Sequence, residues 1–580
     1  MELDRKIRFG VMLDGDAVEQ WQFDTVKILI DNGIELSLII KNGDDSKPYK
    51  SFGDKVLHYP YRQVLFRVWH RYFFKPEAKR RVSLTGLFDL DRINKINKIG
   101  SSLSFRPQRS GVEKSSTDII QEMTVIPIIK GISTYFKPED IEKIRSFNLD
   151  FILRFGFDII RGEVLTAARY GVWSYHHDDE RIVRGGPPGF WEFMRKIPKN
   201  GVILQQLTDE LDKGLILKRI QFDTVLHSYK FHLNRLLTES EFLPSQVAKE
   251  LIVNGKLEPE LSQSNAPIMH PPKNFQMLRY FWLCIWRKVV FHWNYYFRQE
   301  DWNVGYSFES FNDFIETDLH PSVQWLKPPK TDYFADPFII SNDTDTYLFF
   351  EWFSNKNGKA DLAVAKKSEN FEIYHKITAF PEHRSYPFVF DYQGDIYCIP
   401  EANKTNKVAL YRFDETDSGP SLRWDCDLLQ GRFVDTTLLV KDNKFYLFTT
   451  PQNEPHTHLL LFVADDLRGP YRPHFNNPVN VDCSNSRMAG KIQNIDGELV
   501  RPAQNSTRHY GESITLNKII HIDEYQYIEE TLKEIKSDKK WTYNKGIHTI
   551  NSDGGTTVFD AKRFTFTMTG FWQQLRQKFF

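Results

Sequence analysis

The pattern of apolar and polar positions divides the chain into two regions that meet near residue 300. In the first region, Ile7–Leu13 and Ile34–Ile40 are short apolar runs, and Ala17–Asn32 between them repeats apolar residues with a helical period. Apolar runs linked by an amphipathic helix are typical of buried parallel strands. The pattern therefore predicts an α/β domain with a Rossmann-like parallel sheet over residues 1–235.

The second region consists of short strands and polar turns, and it contains an internal repeat. Each copy is a strand, a polar turn and an alternating strand, and the copies follow one another at intervals of about 48–60 residues. β-Hairpins repeated with such a period are typical of propeller blades. The sequence therefore predicts an all-β, five-bladed β-propeller over residues 301–566, with copies that begin at Phe334, Tyr386, Val434, Met488 and His548.

Three segments lie outside this simple pattern: an insertion at about residues 60–118, a helical, aromatic-rich linker at 236–300 and an amphipathic tail at 567–580. Each contains a stretch that is both aromatic and basic. No stretch reaches the roughly 20 uninterrupted apolar residues that a membrane-spanning helix needs. Helices packed against a neighbouring domain are the favoured interpretation, and helices lying in a membrane interface are the alternative.

Composition removes several classes of function. Lys+Arg and Asp+Glu each number 76, so no overall charge favours nucleic acid and no such partner is expected. The four cysteines lack CxxC spacing, which argues against a zinc site, and no metal is expected. The turn Asp14-Gly-Asp-Ala17 lacks the three-glycine dinucleotide fingerprint. Cysteine usage and an N-terminus without a signal-peptide core predict a cytoplasmic protein, with the inner face of the membrane as an alternative site.

The strongest candidate chemistry lies between residues 171 and 214. A short apolar segment ends in His176, and the apolar strand Val202–Leu207 leads to the acidic turn Thr208–Gly214. His176 and Asp212 are 36 residues apart, and each comes just after a predicted strand. The carboxyl ends of parallel strands share one edge, where ligands bind. A carboxylate there can orient the imidazole for proton transfer.

These residues resemble the folate-dependent formyltransferases, which include glycinamide ribonucleotide, methionyl-tRNA and sugar N-formyltransferases. The family pattern is Asn-x-His, then Leu-Pro-x-x-Arg-Gly, then Leu-Asp-x-Gly at the spacing found here. His176, Arg184-Gly185 and Leu211-Asp212-Lys-Gly214 fall in that register, and the resemblance covers about residues 6–235. One position departs from the pattern, because the family's Asn is Ser174 in this chain.

The resemblance implies a formyltransferase-like fold, 10-formyltetrahydrofolate as co-substrate, and roles for individual residues. His176 would be the general base, Asp212 would orient it, and Ser174 would occupy the position that stabilises the oxyanion. Loss of one such hydrogen-bond donor typically costs on the order of 100-fold in rate. The residues implied in cofactor binding are Phe157, Ile159, Ile160 and Arg184.

In the second region, several polar residues follow or interrupt the apolar strand patterns. They are candidates for a substrate-binding funnel: Asp336, Glu351, Glu401, Asp435, Arg501 and Glu512. Carboxyl groups that converge on one funnel are typical of glycosidases, in which one acts as acid and another as base. Asp336, Glu401 and Asp435 are expected at matching positions of consecutive copies, facing one channel.

Two resemblances support a carbohydrate-related interpretation of this region. Phe334-Ala-Asp-Pro-Phe338 resembles the base-bearing motif of five-bladed arabinanase-type glycosidases. Residues 301–566 also resemble the N-terminal region of the glucosamine inositolphosphorylceramide transferases of plants. The motifs that carry this second resemblance are Trp302-Asn-Val-Gly305, Ser486-Arg-Met-Ala-Gly490, Arg501-Pro-Ala-Gln504 and Tyr510-Gly-Glu512.

The preferred hypothesis is an enzyme of glycan or glycolipid biosynthesis that transfers a formyl group from 10-formyltetrahydrofolate to an amino sugar, with a propeller that binds carbohydrate. Its partner would be a small-molecule amino sugar, a nucleotide sugar or a glycan. A glycosyltransferase or glycosidase with its active site in the funnel is one alternative. A non-catalytic glycan-binding scaffold is another. The oligomeric state is left open.

Overall fold

The computed structural model describes residues 6–43, 61–84, 120–210, 214–262, 264–317, 323–342, 345–377, 380–402, 404–416 and 419–566. The chain forms two compact units, unit 1 (Met1–Lys288) and unit 2 (Val289–Phe580). The sequence pattern instead places a boundary between residues 300 and 301. Asp212, most of the predicted insertion and the predicted tail at 567–580 lie outside the described residues.

The described part of unit 1 is built on an eight-stranded mixed sheet in the order β14-β13-β12-β10-β8-β1-β3-β5. Shorter strands pair beside it as β2 with β4, β6-β7-β9, and β11 with β15. The strands are β1 Arg8–Leu13, β2 Ala17–Glu19, β3 Glu35–Asn42, β4 Arg81–Ser83, β5 Gln121–Val125, β6 Ile128–Lys130, β7 Ser133–Tyr135, β8 Phe151–Arg154, β9 Ile159–Ile160, β10 Val172–His176, β11 Arg184–Gly185, β12 Lys199–Gln206, β13 Leu215–Asp223, β14 Glu260–Leu261 and β15 Ile268–Met269.

The prediction of a parallel sheet is correct for one side of this sheet and wrong for the other. Strands β10, β8, β1, β3 and β5 are parallel neighbours, whereas β12 runs antiparallel to β10 and β13 runs antiparallel to β12. A short loop joins β12 to β13, which an antiparallel pair allows and a parallel pair does not. Gln206 at the end of β12 pairs with Trp173, while His176 pairs with Ile203. The carboxyl ends of β10 and β12 therefore do not share one edge.

Helices cover the sheet because its central strands are apolar on both faces. In β1, Phe9–Leu13 are all buried. On one side lies a cluster that includes Ile40, Ile144 and Phe157, and a second, aromatic cluster includes Trp21 and Tyr229. The helices are α1 Gln20–Asp31, α2 Val64–Tyr72, α3 Pro138–Ser146, α4 Phe190–Arg195, α5 Tyr229–Thr238 and α6 Leu243–Asn254. A further helix, α7 (Asn274–Phe297), begins in unit 1 and continues past its last residue, Lys288.

Unit 2 is largely β-sheet, and its described residues form five main sheets. One short helix, α8 (Phe311–Glu316), is also present. The strands are β16 Arg298–Ser307, β17 Gln324–Trp325, β18 Asp332–Ser341, β19 Thr346–Ser354, β20 Lys359–Lys367, β21 Phe371–Ile377, β22 Ser385–Tyr392, β23 Asp395–Glu401, β24 Lys407–Thr416, β25 Gly419–Gln430, β26 Phe433–Lys441, β27 Lys444–Pro451, β28 His458–Ala464, β29 Arg472–Pro473, β30 Asn480–Val481, β31 Arg487–Met488, β32 Gln493–Ile495, β33 Glu498–Asn505, β34 Ser513–Ile522, β35 Tyr527–Ile535, β36 Ile550–Asp553 and β37 Thr556–Phe566.

Four of the five sheets are continuous in sequence, and the fifth combines both ends of the unit. They are β18–β21, β22–β25, β26–β30, β31–β35, and β17-β16-β37-β36. The first strands of successive sheets contact one another from β18 to β22, β26 and β31, and β36 contacts β18. Ile550 of β36 in turn donates its backbone N–H to the carbonyl of Ala489, next to β31. These contacts join the sheets in a closed order.

Helix length and hydropathy bear on the membrane question raised by the aromatic-basic stretches. Within the described ranges, no helix is both long enough and apolar enough to cross a membrane.

Candidate functional sites

Ser174 in unit 1 is held by an arginine that the sequence analysis did not single out. Ser174 pairs with Arg154 across the parallel β8–β10 ladder, and Arg154 Nη1 donates to Ser174 Oγ at 2.9 Å. Arg154 Nε donates to the carbonyl of Gly156 at 3.0 Å, and Nη2 donates to the carbonyl of Asp158. Burial lowers the pKa of Arg154, although the charges of Asp158 and Asp14 act against that shift. Arg154 thus brings a largely desolvated positive charge to the predicted oxyanion position.

The hydroxyl proton of Ser174 is left for another acceptor. Because Arg154 donates to Ser174 Oγ, the O–H bond of Ser174 points elsewhere, and its described acceptor is the carbonyl of Tyr175 at a long 3.5 Å. Gln205 lies opposite Ser174 in the antiparallel pair of β10 and β12. A weakly bound hydroxyl beside a guanidinium is a good donor to developing negative charge.

His176 ends β10 and remains partly exposed, with 24% of its side chain accessible. Its Nε2 lies 3.8 Å from Oδ2 of the buried Asp178, which is longer than a hydrogen bond. The neighbouring His177 differs, because burial lowers its pKa to about 3 and it packs against Trp21 and Tyr175. His177 is therefore not suited to proton transfer near neutral pH.

Behind His176 lies a pair of buried carboxyl groups, Asp178 and Glu192. Burial and then the charge of Glu192 raise the pKa of Asp178 well above its usual range, and burial raises the pKa of Glu192 to about 7. Among the described residues, Oδ2 of Asp178 and both carboxyl oxygens of Glu192 are buried without a hydrogen-bond partner. Asp178 Oδ1 also accepts from the backbone N–H of Gly189 at 2.7 Å. Burial thus raises the pKa of both carboxyl groups behind the imidazole.

The residues implied in cofactor binding fall in two places. Phe157 is fully buried against Phe136, and Ile160 is buried in the same cluster, so their side chains cannot line an open pocket. Ile159 is partly exposed on β9. Phe157 and Asp158 both have positive φ angles (67° and 46°), and Asp14 Oδ1 accepts from the N–H of Phe157. The backbone of this loop is thus held by Arg154 and Asp14.

The Arg-Gly turn has a structural explanation. Arg184 Nε donates to the carbonyl of Ala266, and β11 pairs with β15. A Cβ at Gly185 would lie 2.2 Å from the carbonyl oxygen of Met269, and its φ is +93°. Only glycine fits such a close approach in this conformation. The turn therefore fastens the segment that follows His176.

In unit 2, Asp336, His548 and Asp560 form a buried ion triad. His548 Nδ1 lies 2.7 Å from Asp560 Oδ1, and its Nε2 lies 3.2 Å from Asp336 Oδ1. Burial alone would lower the pKa of His548, but the charges of Asp560 and Asp336 raise it to about 10. Burial would raise the pKa of Asp336, but the charge of His548, together with hydrogen bonds from His548, Thr549 and the backbone of Tyr386, lowers it. His548 is therefore an imidazolium that keeps Asp336 ionised.

The same three residues are the described cluster whose ligand atoms lie close enough together, within 4.8 Å, to hold a metal ion. Both nitrogens of His548 already face carboxylates, and Asp560 also accepts from the backbone N–H groups of His548 and Thr549. The imidazolium supplies the positive charge that a metal would supply. The described geometry thus fits an ion triad.

A second charged group surrounds Asp435. Arg487 donates through Nε and Nη2 to both carboxylate oxygens of Asp435, and Gln504 Nε2 donates to Oδ2 at 2.8 Å. Asp435 donates its backbone N–H to Glu401 Oε2 at 3.3 Å. Burial would lower the pKa of Arg487, but Asp435 raises it well above its usual range. Asp435 and Arg487 therefore form a bidentate buried ion pair.

Two glutamates with raised pKa values complete the cluster. Burial, followed by the charge of Asp336, raises the pKa of Glu351 well above its usual range. Burial and the charge of Asp435 do the same to Glu401, which remains partly exposed. Each of the two aspartates thus has beside it a glutamate whose pKa is raised. Carboxyl groups of unequal acidity are the arrangement that acid–base chemistry at a glycosidic bond requires.

The expectation that Asp336, Glu401 and Asp435 occupy matching positions is wrong. Asp336 and Asp435 lie at β-bulges of first strands with φ near +50°, and the residue that matches them in the second sheet is Tyr386, with φ +42°. Glu401 belongs to a second strand, where it matches Glu351. The bulge inserts unpaired residues into the first strand, so alternation counted along the sequence loses register there.

Arg501 and Glu512 are not part of this cluster. Arg501 is fully buried within its own sheet, where it pairs with Glu529 at 2.7 Å and donates to Tyr527. Glu512 accepts from the backbone and side chain of Arg508 and closes the loop between β33 and β34. Ion pairs and hydrogen bonds to neighbouring residues therefore explain both charged side chains. The geometry does not support the prediction that they line a funnel.

Sequence comparison finds relatives for the two halves separately. Residues 326–554 match the family model described as glucosamine inositolphosphorylceramide transferase 1, N-terminal. Glucosamine inositolphosphorylceramide transferase 1 of Oryza sativa subsp. japonica is 29% identical over 253 residues, which cover 40% of this chain and 34% of that protein. The chain thus spans about a third of the length of this relative. The predicted resemblance of the second half is confirmed.

For the first half, methionyl-tRNA formyltransferase of Bacillus mycoides is 28% identical over 144 residues, which cover 25% of this chain and 45% of that protein. The predicted formyltransferase resemblance is therefore also confirmed. Among solved structures, Zg3597, a family 117 glycoside hydrolase of Zobellia galactanivorans, aligns over 47% of this chain and 91% of that chain, with 13% identity and a TM-score of 0.31.

Proposed function

We propose that unit 1 transfers a formyl group from 10-formyltetrahydrofolate to the amine of an amino sugar, and that unit 2 is a five-bladed β-propeller that binds the carbohydrate part of the acceptor. The proposal rests on the constellation of Arg154, Ser174 and His176 at the end of β10. The formyltransferase resemblance supports the reaction type. The carbohydrate-related names of the relatives of unit 2 support the acceptor class.

In this reaction the amine nitrogen bonds to the formyl carbon, and the bond from that carbon to the folate nitrogen breaks. The folate supplies the activated formyl group. Ser174 donates its hydroxyl hydrogen to the oxygen that gains negative charge, and Arg154 strengthens this donor through its hydrogen bond to Ser174 Oγ. His176 accepts the proton that the amine loses and returns it to the leaving nitrogen. Arg154 and Ser174 together would thus replace the amide of the family's Asn.

The residues present fit a formyl donor through Ser174, whose hydroxyl has only a long bond to the carbonyl of Tyr175. Ser174 is buried, so the donor reaches it only when neighbouring side chains move aside. The carbonyls of Gly156 and Asp158 already accept from Arg154, but each retains a second lone pair. With Ile159 partly exposed, the loop from Gly156 to Ile160 would hold the folate through its backbone. Asp212 is kept as the proposed partner that orients His176 on the formyltransferase resemblance alone, since the strand directions do not support the pairing.

The test combines folate binding with turnover. Wild-type protein should bind 5-formyltetrahydrofolate in calorimetry and should transfer formyl from 10-formyltetrahydrofolate to at least one of a panel of amino sugars and nucleotide amino sugars. His176→Ala should abolish turnover, and Arg154→Met should lower it on the order of 100-fold because the donor is weakened. Ser174→Asn should keep or raise activity. His270→Ala, at an exposed histidine outside the site, is the matched control and should behave as wild type.

Absence of folate binding in both wild type and Ser174→Asn would refute formyl transfer. If wild type and Ser174→Asn both bind folate but formylate no amine of the panel, unit 1 would be a folate-binding domain and not a formyltransferase.

A second candidate function is glycosidic-bond chemistry in unit 2, either hydrolysis or glycosyl transfer. The observation that favours it is that Asp336 and Asp435 lie beside Glu351 and Glu401, whose pKa values are raised. Glu401, which is partly exposed, would be the acid. Activity on a glycan panel that is lost in Glu401→Gln and Asp336→Asn would support this function. Binding without any activity would instead favour a glycan-binding scaffold.

A further inference from the structure

Helix α7 is apolar on two opposite faces in its first four turns. On the inner face, Met277 and Tyr280 are buried in the aromatic cluster of unit 1. On the outer face, large apolar side chains are exposed, with 63% of Trp282 and 54% of Trp286 accessible. The other exposed members are Phe275, Leu278 and Ile285. A helix that is apolar all round is normally buried, so the outer face requires a partner.

Helix α2 lies beside this part of α7 and extends the exposed surface. Asn274 at the start of α7 accepts from the N–H of Leu65 at 3.0 Å and donates to the carbonyl of Tyr61 at 2.7 Å. The rings of Trp69 and Tyr280 meet at 5.1 Å between centroids. The exposed apolar side chains that α2 and its C-terminal end add are Val68, Tyr72 and Phe73. The exposed residues of 61–75 and 273–288 are called the α2–α7 surface below.

The α2–α7 surface carries positive charge and no negative charge. Residues 61–75 and 271–288 contain no Asp or Glu, although the whole chain has equal numbers of acidic and basic residues. The basic residues of these two segments are Arg62, Arg67, Arg71, Lys75, Lys273, Arg279, Arg287 and Lys288. Among the residues that the structure describes, Arg71, Arg279 and Lys288 are exposed and form no ion pair with an acidic side chain. Arg287 is directed to the carbonyl of Phe193, and the other seven cations are exposed around one apolar patch of a neutral protein.

We propose that the α2–α7 surface binds an anionic lipid bilayer, with α7 lying in the plane of the interface. Tryptophan and tyrosine favour the headgroup region, where their apolar rings and polar groups are both accommodated. Lys and Arg beside them are attracted by anionic headgroups. A symmetric contact between two copies of the chain would bring like charges together around the patch, which disfavours that occupant. The proposal does not depend on either reaction considered for the two units.

The test is flotation of the full chain with lipid vesicles. Wild type should float with vesicles of equal parts phosphatidylcholine and phosphatidylserine, and should bind pure phosphatidylcholine much more weakly. Trp282→Ser with Trp286→Ser should lower the partition coefficient about tenfold or more, since two interfacial anchors are lost. Arg71→Gln with Arg279→Gln should lower it on the order of 20-fold at low salt, at about fivefold for each cation. Trp424→Ser removes an equally exposed tryptophan of unit 2 and should leave binding unchanged.

Three results would overturn the proposal. The first is wild-type protein that fails to float with the anionic vesicles. The second is equal binding by wild type and by the Arg71→Gln, Arg279→Gln variant, whose substitutions are at the surface and leave the core intact. The third is a wild-type dimer in sedimentation velocity that becomes monomeric in the Trp282→Ser, Trp286→Ser variant while lipid binding stays the same. The surface would then be an interface between two copies of the chain. Circular dichroism of each variant establishes that loss of binding is not loss of folding.

Discussion

Replacing Asp560 by Asn should destabilise unit 2 strongly. Asp560 is fully buried, and its Oδ1 accepts from the side chain of His548 at 2.7 Å and from the backbone N–H groups of His548 and Thr549. Its Oδ2 accepts from the backbone N–H of Asp336 at 2.8 Å. An amide cannot accept at both positions, and it leaves the imidazolium with one counter-charge fewer.

Removing one partner of a buried ion pair costs about 3–5 kcal/mol. For a unit of about 290 residues, the entropy of unfolding near 60 °C is about 0.6 kcal/mol per kelvin. The melting temperature of unit 2 should therefore fall by about 5–8 °C. Hydrogen exchange of peptides within residues 545–566 of the full chain reports on this unit, and peptides within 6–43 of unit 1 serve as the internal reference.

Asp442→Asn is the matched control, because Asp442 lies exposed in the turn between β26 and β27 with a φ that Asn also tolerates. It should change stability by less than about 0.5 kcal/mol. If Asp560→Asn were as stable as Asp442→Asn, His548 could not be held as a cation by Asp560, and the argument for the ionised state of Asp336 would fail with it.

Three further predictions concern pH and single hydrogen bonds. The pKa of His548 is raised to about 10, so its contribution to stability is complete below about pH 6.5 and should be lost as the pH rises toward 10. Urea unfolding of unit 2 between pH 6 and 10.5 measures this loss. In Asp560→Asn, the free energy of unfolding should depend less on pH. Burial raises the pKa of Glu192 to about 7, so Glu192→Gln should stabilise unit 1 at pH 8 and match wild type near pH 4, as measured by thermal unfolding. Tyr386→Phe leaves the backbone N–H of Gly490 without its acceptor and should cost about 1–3 kcal/mol in urea unfolding; an unchanged midpoint would contradict the bond.

Local sequence pattern predicts the core elements of unit 1 well, because burial alone determines them. The apolar runs at residues 7–13 and 34–40 correspond to β1 and β3, and the periodic segment between them contains α1. The orientation of β12 depends instead on how the chain turns after α4, and hydrophobic pattern carries no information about that turn. For this reason the sequence analysis wrongly placed the carboxyl ends of the strands before His176 and Asp212 at the same edge of the sheet.

The site residues that the sequence analysis missed are brought together by contacts between distant parts of the chain. Arg154 ends an apolar strand and looks like an ordinary surface residue until the parallel pairing places it beside Ser174. His548 and Asp560 lie more than 200 residues after Asp336, and no local motif joins them. For Tyr386 a signal was present: Tyr386-Pro-Phe388 repeats Asp336-Pro-Phe338, so aligning the copies on proline would have matched these two positions.

The pairing of β16 with β37 has a consequence for synthesis of the protein. Ser307 pairs with Thr557 and Arg298 with Phe566, so the first strand of unit 2 finds its partner only after the last strand has been translated. At roughly 5–20 residues per second, β16 waits roughly 10–50 seconds on the ribosome. During that time the strand lacks its main partner. It carries three apolar side chains that are buried in the finished unit: Trp302, Val304 and Tyr306. A nascent chain with such a strand is a natural client for a chaperone that binds apolar segments until the sheet is complete.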